Sequence, residues 1–234
     1  MSISVSPLEL DGFDRLPLHS RRCVFWEVDA SASEDGLDVL LAGPAEGYES
    51  EFDKEAWVSG LLLEWGTCCQ LAVESSTGRT VGSAFYAPPT RVPRARRFPT
   101  APVSSDAVLL TTVTTDPGFE SAAPLLFDAV VADAARRGVR AVEAFGFTAS
   151  DEALAGDLVA LLLGAGVAGN VCRGCLIDTQ VLLDAGFEVV AEDPYLPRLR
   201  LELDEGLGWK MQVEHALRKL VEPQSVELAP SRVC

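Results

Sequence analysis

Apolar and polar positions divide the chain into short strand-like runs and amphipathic helices. Arg21 to Val28 (RRCVFWEV) mixes aromatic and branched residues and predicts a first strand, followed by an acidic, Gly-rich loop from Asp29 to Glu49. Ser50 and Asp53 then form an S-x-x-D cap. Phe52, Trp57, Leu61 and Trp65 recur near helical spacing up to Gly66, which predicts a helix that buries its tryptophan face. Gln70 to Glu74 and Thr80 to Ala87 are strand-like runs about a Ser-Ser-Thr-Gly turn and predict a hairpin.

Pro88 to Ser105 breaks the pattern with five prolines and four arginines (Arg91, Arg94, Arg96, Arg97) and no acid, which predicts an ordered excursion or a mobile loop. Ala107 to Thr115 (AVLLTTVTT) has the near-continuous apolar and β-branched character of a central strand. A helix follows, with Leu126, Val130 and Ala134 as its inner stripe, Arg136 and Arg137 in the last turn, and Gly138 to stop it. Val139 to Phe147 predicts a second buried strand, parallel to the first through a right-handed crossover. Between Thr148 and Gly174 the pattern leaves two readings open, a helix or an apolar, Gly-broken insertion over Leu154 to Val167. Asp178 caps a short helix ending at Gly186, Glu188 to Ala191 predicts a strand, and Arg198 to Leu203 alternates as a half-buried strand does. Trp209, Val213, Ala216, Leu217 and Leu220 predict a last amphipathic helix. The organisation is a single α/β domain over 1–222 and a frayed tail over 223–234.

Composition adds limits rather than a function. Hydrophobic residues make 48% of the 234 positions and charged residues 23%, which sets disorder aside. The N-terminal stretch lacks a signal-peptide pattern, and the longest apolar run, Leu158 to Val167, is about half a bilayer span. The expectation is a cytoplasmic protein with no membrane association. A net charge of −16 repels phosphate backbones, so nucleic acid is excluded as a partner; cationic small molecules or basic peptides are favoured, although the same excess of acid also serves solubility. Cys172 and Cys175 form a C-x-x-C pair, but a zinc site takes four ligands and the only histidines, His19 and His215, are remote in sequence. Thiols with no metal site are therefore expected.

The element order resembles the GNAT acyltransferase fold, a mixed central sheet flanked by helices, here with a C-terminal helical extension. Val113-Thr-Thr-Asp-Pro117 and the run to Gly138 resemble that family's strand and cofactor-binding helix, and Asp178 to Phe187 (DTQVLLDAGF) is similar to its short helix ending in Gly-Phe. The resemblance covers 21–203. It implies acetyl-CoA or another acyl-CoA as cosubstrate, wedged where the parallel strands splay apart, with backbone groups of Val113 and Thr115 holding the pantetheine arm. The pyrophosphate would lie on the turn Gly118, Phe119, Ser121, Ala122 and Ala123, where N–H groups at a helix N-terminus receive an anion. This turn departs from the family pattern: Glu120 puts an acid where the anion belongs, and Pro124 removes a donor.

The resemblance also implies an acid that reprotonates the leaving thiolate, often a tyrosine in the short helix, and this chain has Leu182 there. For the base that takes the amine proton, Glu143 on the inner strand is the first candidate, with a raised pKa expected among its apolar neighbours; Glu27 is the second, and Glu64 lies beyond it. The function implied is acetyl transfer to a primary amine of a small molecule or peptide. The altered turn leaves a second reading, a GNAT-fold binding or regulatory module. The arginine loop over 88–105 is expected to contact a second subunit or protein partner. Two histidines give little material for a Ser-His-Asp or Cys-His site, and no G-x-G-x-x-G or P-loop pattern occurs.

Overall fold

The computed structural model describes residues 2–28, 49–148 and 172–203. Its architecture is the α/β, GNAT-like mixed sheet implied by the sequence. Eight strands are described: β1 (Ile3–Pro7), β2 (Cys69–Glu74), β3 (Thr80–Ala87), β4 (Ala107–Thr115), β5 (Ala141–Phe147), β6 (Ile177–Asp178), β7 (Glu188–Ala191) and β8 (Arg198–Glu202). They lie in the order β1-β2-β3-β4-β5-β8-β7, and β6 pairs with the end of β5. All neighbours on the main path are antiparallel except β4 and β5, which run parallel.

Four helices flank the sheet among the described residues: α1 (Leu18–Arg22), α2 (Glu51–Glu64), α3 (Ala122–Arg136) and α4 (Thr179–Asp184). Ser50 starts α2 as its side chain accepts from the Asp53 N–H at 3.2 Å, and Gly66, at φ 101°, ends it with its N–H on the Leu61 carbonyl. Val58 and Leu61 are the buried stripe of α2, against Phe85, Leu71 and Leu109 on one sheet face. Trp57 and Trp65 are only half buried and Phe52 is exposed, so the inner face is rotated from the tryptophan face that spacing suggested. On the opposite face α3 packs Leu126, Val130 and Ala134 onto Ala84, Tyr86, Val108 and Val142. Asp178 caps α4 by accepting from the Gln180 N–H at 2.7 Å.

One predicted strand is not a strand. Residues 18–22 form α1, Cys23 makes an isolated bridge to Glu49, and Val24 to Glu27 turn beneath α2. The apolar character of this run reflects burial of Phe25 and Trp26 in the core, with Trp26 stacked on Phe98 at 4.9 Å, rather than sheet pairing. The edge strand is instead β1, whose alternating ISVSP lies outside the stretch that carried the resemblance. The 88–105 excursion is ordered into two 3-10 turns, Pro89–Arg91 and Pro93–Arg97. The helix expected over Trp209 to Leu220, the two readings of 154–167 and the 223–234 tail lie outside the described residues. Among the described residues no helix is long and apolar enough to cross a membrane.

Candidate functional site

Two features of β4 create a gap in the sheet. Its register with β3 shifts between Phe85 and Tyr86, which leaves Thr111 as an extra residue whose hydroxyl donates to the Phe85 carbonyl at 3.1 Å. Parallel pairing with β5 stops at Leu110 and Ala144, and beyond that point β5 takes β6 as its partner, at Gly146 and Phe147. No described strand pairs with the far half of β4 on this side. Val113 and Thr115 lie on this splayed half, where they pair with Ala84 and Gly82 of β3.

The loop after β4 satisfies its own donors. Gly118, at φ 85°, gives its N–H to Glu120 Oε1 at 2.9 Å; the N–H groups of Phe119, Ala122 and Ala123 go to the carbonyls of Asp116, Phe119 and Glu120. The N–H bonds from Gly118, then from Glu120 itself, hold the Glu120 carboxyl below the ordinary range. An internal carboxylate thus sits on one of the donors expected to take a pyrophosphate, the Gly118 N–H, and backbone carbonyls take those of Phe119, Ala122 and Ala123. Ser121 is the residue before α3 and makes no side-chain cap. The strand half of the predicted cosubstrate site fits an extended arm, whereas the loop half fits a diphosphate only once Glu120 is displaced.

The candidate bases occupy different surroundings. Glu143 is fully buried one residue before the gap, held by Arg198, by Arg200 at 3.0 Å and by the Ser104 N–H at 3.2 Å. Burial by itself would raise its pKa, but the hydrogen bonds from Ser104, Arg198 and Arg200 outweigh it and hold the carboxyl below the ordinary Glu range. The raised pKa expected from its apolar sequence neighbours is therefore corrected: Arg198 and Arg200 arrive from β8. Glu27 instead lines a cavity of about 10 Å³, room for roughly one water, together with Lys54, Phe85, Thr112 and Thr114 at the splayed end of β4. Its carboxylate pairs with buried Lys54. Burial would lower the Lys54 pKa, but the charge and hydrogen bond of Glu27 win and raise it. Glu64 is remote from this cavity and pairs with Arg91 at 3.0 Å. Leu182 is buried in the core, so no acid stands at that position.

The same cavity carries groups that the sequence reading kept apart. His19 on α1, its C-cap Cys23 and Cys175, the last residue of the 3-10 turn Arg173–Cys175, line the cavity, and Cys172 immediately precedes that turn; the ligand atoms of all four lie within 4.8 Å of one another. The expectation that the C-x-x-C pair has no histidine within reach is thereby corrected. The signal was the four-residue spacing of His19 and Cys23, hidden because 21–28 looked like a strand. Hydrogen bonds with the Cys175 and Cys23 thiols hold the Cys172 pKa below that of an ordinary thiol, and bonds of Cys175 with Cys172 and Cys23, with burial, push the Cys175 thiol up. Cys68, outside the cluster, is pushed up to about 12 by burial.

The arginine loop is partly structural. Arg94 is buried, donates from Nε to the Phe25 carbonyl at 2.5 Å and lies 4.8 Å over the Phe25 ring. It is not available to a partner, while Arg96 and Arg97 face solvent. A surface hollow of about 430 Å³ lies near the end of β4, lined by Asp14, Arg15, Leu18, Arg79 and Asp116 among others.

The mixed sheet with one splayed parallel pair, a helix on each face and a crossover helix after β4 define a GNAT-like fold. No family model matches the sequence, and no curated protein matches it. Among solved structures, the chain is similar to an N-acetyltransferase from Staphylococcus aureus Mu50, with 12% identity, 87% of this chain and 100% of that one covered, and a TM-score of 0.48. It is similar also to the PaiA N-acetyltransferase of Thermoplasma acidophilum in complex with coenzyme A, at 12% identity, 86% and 99% coverage and a TM-score of 0.49. A third is the ribosomal-protein-S18-alanine N-acetyltransferase of Escherichia coli, at 11% identity, 88% and 99% coverage and a TM-score of 0.43.

Proposed function

We propose that this chain is an acyl-CoA-dependent N-acyltransferase that moves an acetyl group to a primary amine of a small molecule or peptide. The observation that carries the reading is the parting of β4 from β5 beyond Leu110 and Ala144, which leaves the far half of β4 without a strand partner on that side among the described residues. Backbone groups at Val113 and Thr115 bind the extended pantetheine arm in the manner of an added strand. The diphosphate competes with Glu120 for the Gly118 N–H, so binding is weak. Glu27, at the splayed end of β4, accepts the amine proton directly or through one water; its bond to Lys54 fixes the carboxylate in place. Transfer is direct attack of the amine on the thioester within a ternary complex.

The net charge of −16 favours a cationic acceptor; the hollow near the end of β4 does not itself select one, because Asp116 is paired with Arg79 at 2.5 Å and Arg15 lines it as well. Among the candidate bases, Glu143 is the weaker choice because two arginines hold its oxygens, whereas Glu27 faces a single cation, Lys54 on Oε1, with the Trp26 N–H on Oε2 at 3.2 Å. The test is acetyl-CoA turnover on a panel of amines: Glu27→Gln lowers turnover by roughly 10²–10⁴-fold with acetyl-CoA binding retained. Full activity of that variant would remove Glu27 from the mechanism.

A second reading is favoured by one observation, the self-satisfied loop at Gly118 to Ala123. On that reading the fold is kept as a binding or regulatory module, and acyl-CoA is not a ligand. A contact through the exposed end of the 88–105 loop, near Arg96 and Arg97, belongs with it and is tested by native mass before and after both are changed to serine.

A further inference from the structure

We infer that His19, Cys23, Cys172 and Cys175 form a closed tetrahedral zinc site that staples α1 to the turn Arg173–Cys175. The site is independent of the acyltransferase reading.

The geometry is that of a coordination sphere. His19 Nε2 lies 3.3 Å from Cys175 Sγ and 3.4 Å from Cys172 Sγ, and the Cys23 and Cys175 sulfurs are 3.3 Å apart. With Zn–S near 2.3 Å and Zn–N near 2.0–2.1 Å, the edges of a tetrahedron are about 3.8 Å between sulfurs and about 3.5 Å from nitrogen to sulfur. All four ligand atoms fall within 4.8 Å of one another, so small shifts, outward for the near pairs and inward for the widest, seat the ion. The cysteines are free thiols, and their sulfurs are too far apart for a bonded pair at about 2.05 Å.

The sequence supplies two chelating pairs. His19 and Cys23 are four residues apart, one helical turn, and Cys172 and Cys175 are a C-x-x-C turn. In that turn the Cys175 N–H donates to the Cys172 carbonyl at 2.9 Å, which closes the backbone between the two cysteines. Gly174 packs directly against the imidazole: a Cβ there would lie 3.4 Å from His19 Nε2, in van der Waals contact. The Cys175 carbonyl accepts from Trp26 Nε1 at 2.9 Å, which fixes the turn against the core.

Three sulfurs and one imidazole nitrogen make a soft donor set that suits zinc and excludes magnesium and calcium. Four protein ligands leave no open position, so the site is structural and not a centre for activating water. Three thiolates and a neutral imidazole leave a net charge of −1 on the ligated ion, the thiol protons still held before binding pass to solvent, and the Lys54 ammonium lines the same cavity. The ligands come from segments more than 150 residues apart, so the ion ties the N-terminal helix to the turn before β6.

The test is metal content of the full chain expressed in zinc-supplemented medium, with cobalt(II) exchanged in for spectroscopy. The expected result is one zinc per chain, and a cobalt form with the visible bands of a tetrahedral site and thiolate charge transfer. Cys172→Ser, at the least buried of the three sulfurs, should lower metal content at least tenfold, while Cys68→Ala, outside the cluster, leaves it unchanged. Should Cys172→Ser fail to fold, a chelator titration of the wild-type chain replaces it: stripping zinc lowers the melting temperature and adding zinc back restores it. A folded, reduced wild-type chain that takes up neither zinc nor cobalt overturns the inference, as does metal content unaffected by Cys172→Ser. Peptide mapping that finds a disulfide among Cys23, Cys172 and Cys175 in the chain as isolated also overturns it.

Discussion

At the scale of single residues, burial and charge compensation separate the two glutamates that sequence offered as bases. Glu143→Gln should destabilise the fold by on the order of 3 kcal/mol, because Arg198 and Arg200 are left facing a neutral amide. Urea unfolding measures this; unchanged stability with lost turnover would instead make Glu143 the base. The sign of the pH dependence follows from its lowered folded pKa: the stabilisation is fully present above the unfolded value near about 4.3 and is lost as pH falls through the folded value. Glu143→Gln should therefore flatten the acid side of the stability profile. Both acids were visible in the sequence. Their partners were not, since Arg198 and Arg200 stand 55 and 57 positions from Glu143, and Lys54 stands 27 from Glu27.

At the scale of elements, close backbone approach and buried anchors decide which changes the fold tolerates. A Cβ at Gly146 would lie 2.6 Å from Thr179 Oγ1 and 2.8 Å from Leu199 Cδ1, so α4 and β8 both press on the end of β5. Gly146→Ala should cost roughly 1–3 kcal/mol by overpacking, seen as a lower denaturant midpoint; an unchanged midpoint would mean that α4 can move aside freely. In the arginine loop, Arg94→Ala should cost about 1.5–3 kcal/mol for the lost charged hydrogen bond, whereas Arg96→Ala at the exposed surface should stay within about 0.5 kcal/mol. Periodicity made α2, α3, β4, β5 and the hairpin legible because each presents a regular buried face. It failed at Val24 to Glu27, where apolar residues are buried by an irregular turn, and so concealed the helical spacing of His19 and Cys23. The resemblance marked the splayed strands correctly, but the internal bond from Gly118 to Glu120 depends on loop conformation that composition does not encode.

At the scale of the whole molecule, the described residues bring together a strand edge without a strand partner, the Glu27–Lys54 ion pair at its splayed end and the His19, Cys23, Cys172 and Cys175 cluster in one region. The central claim is that acyl-CoA binds along β4 and contends with Glu120 for the loop donors. Calorimetric titration of acetyl-CoA into the wild-type chain and into Glu120→Ala tests it most directly. The account predicts weak binding to the wild type and tighter binding to Glu120→Ala, since the variant frees the Gly118 N–H for the diphosphate and removes a like charge. Absence of heat from both proteins at millimolar acetyl-CoA, with each shown to be folded, would contradict it and leave the binding-module reading in its place.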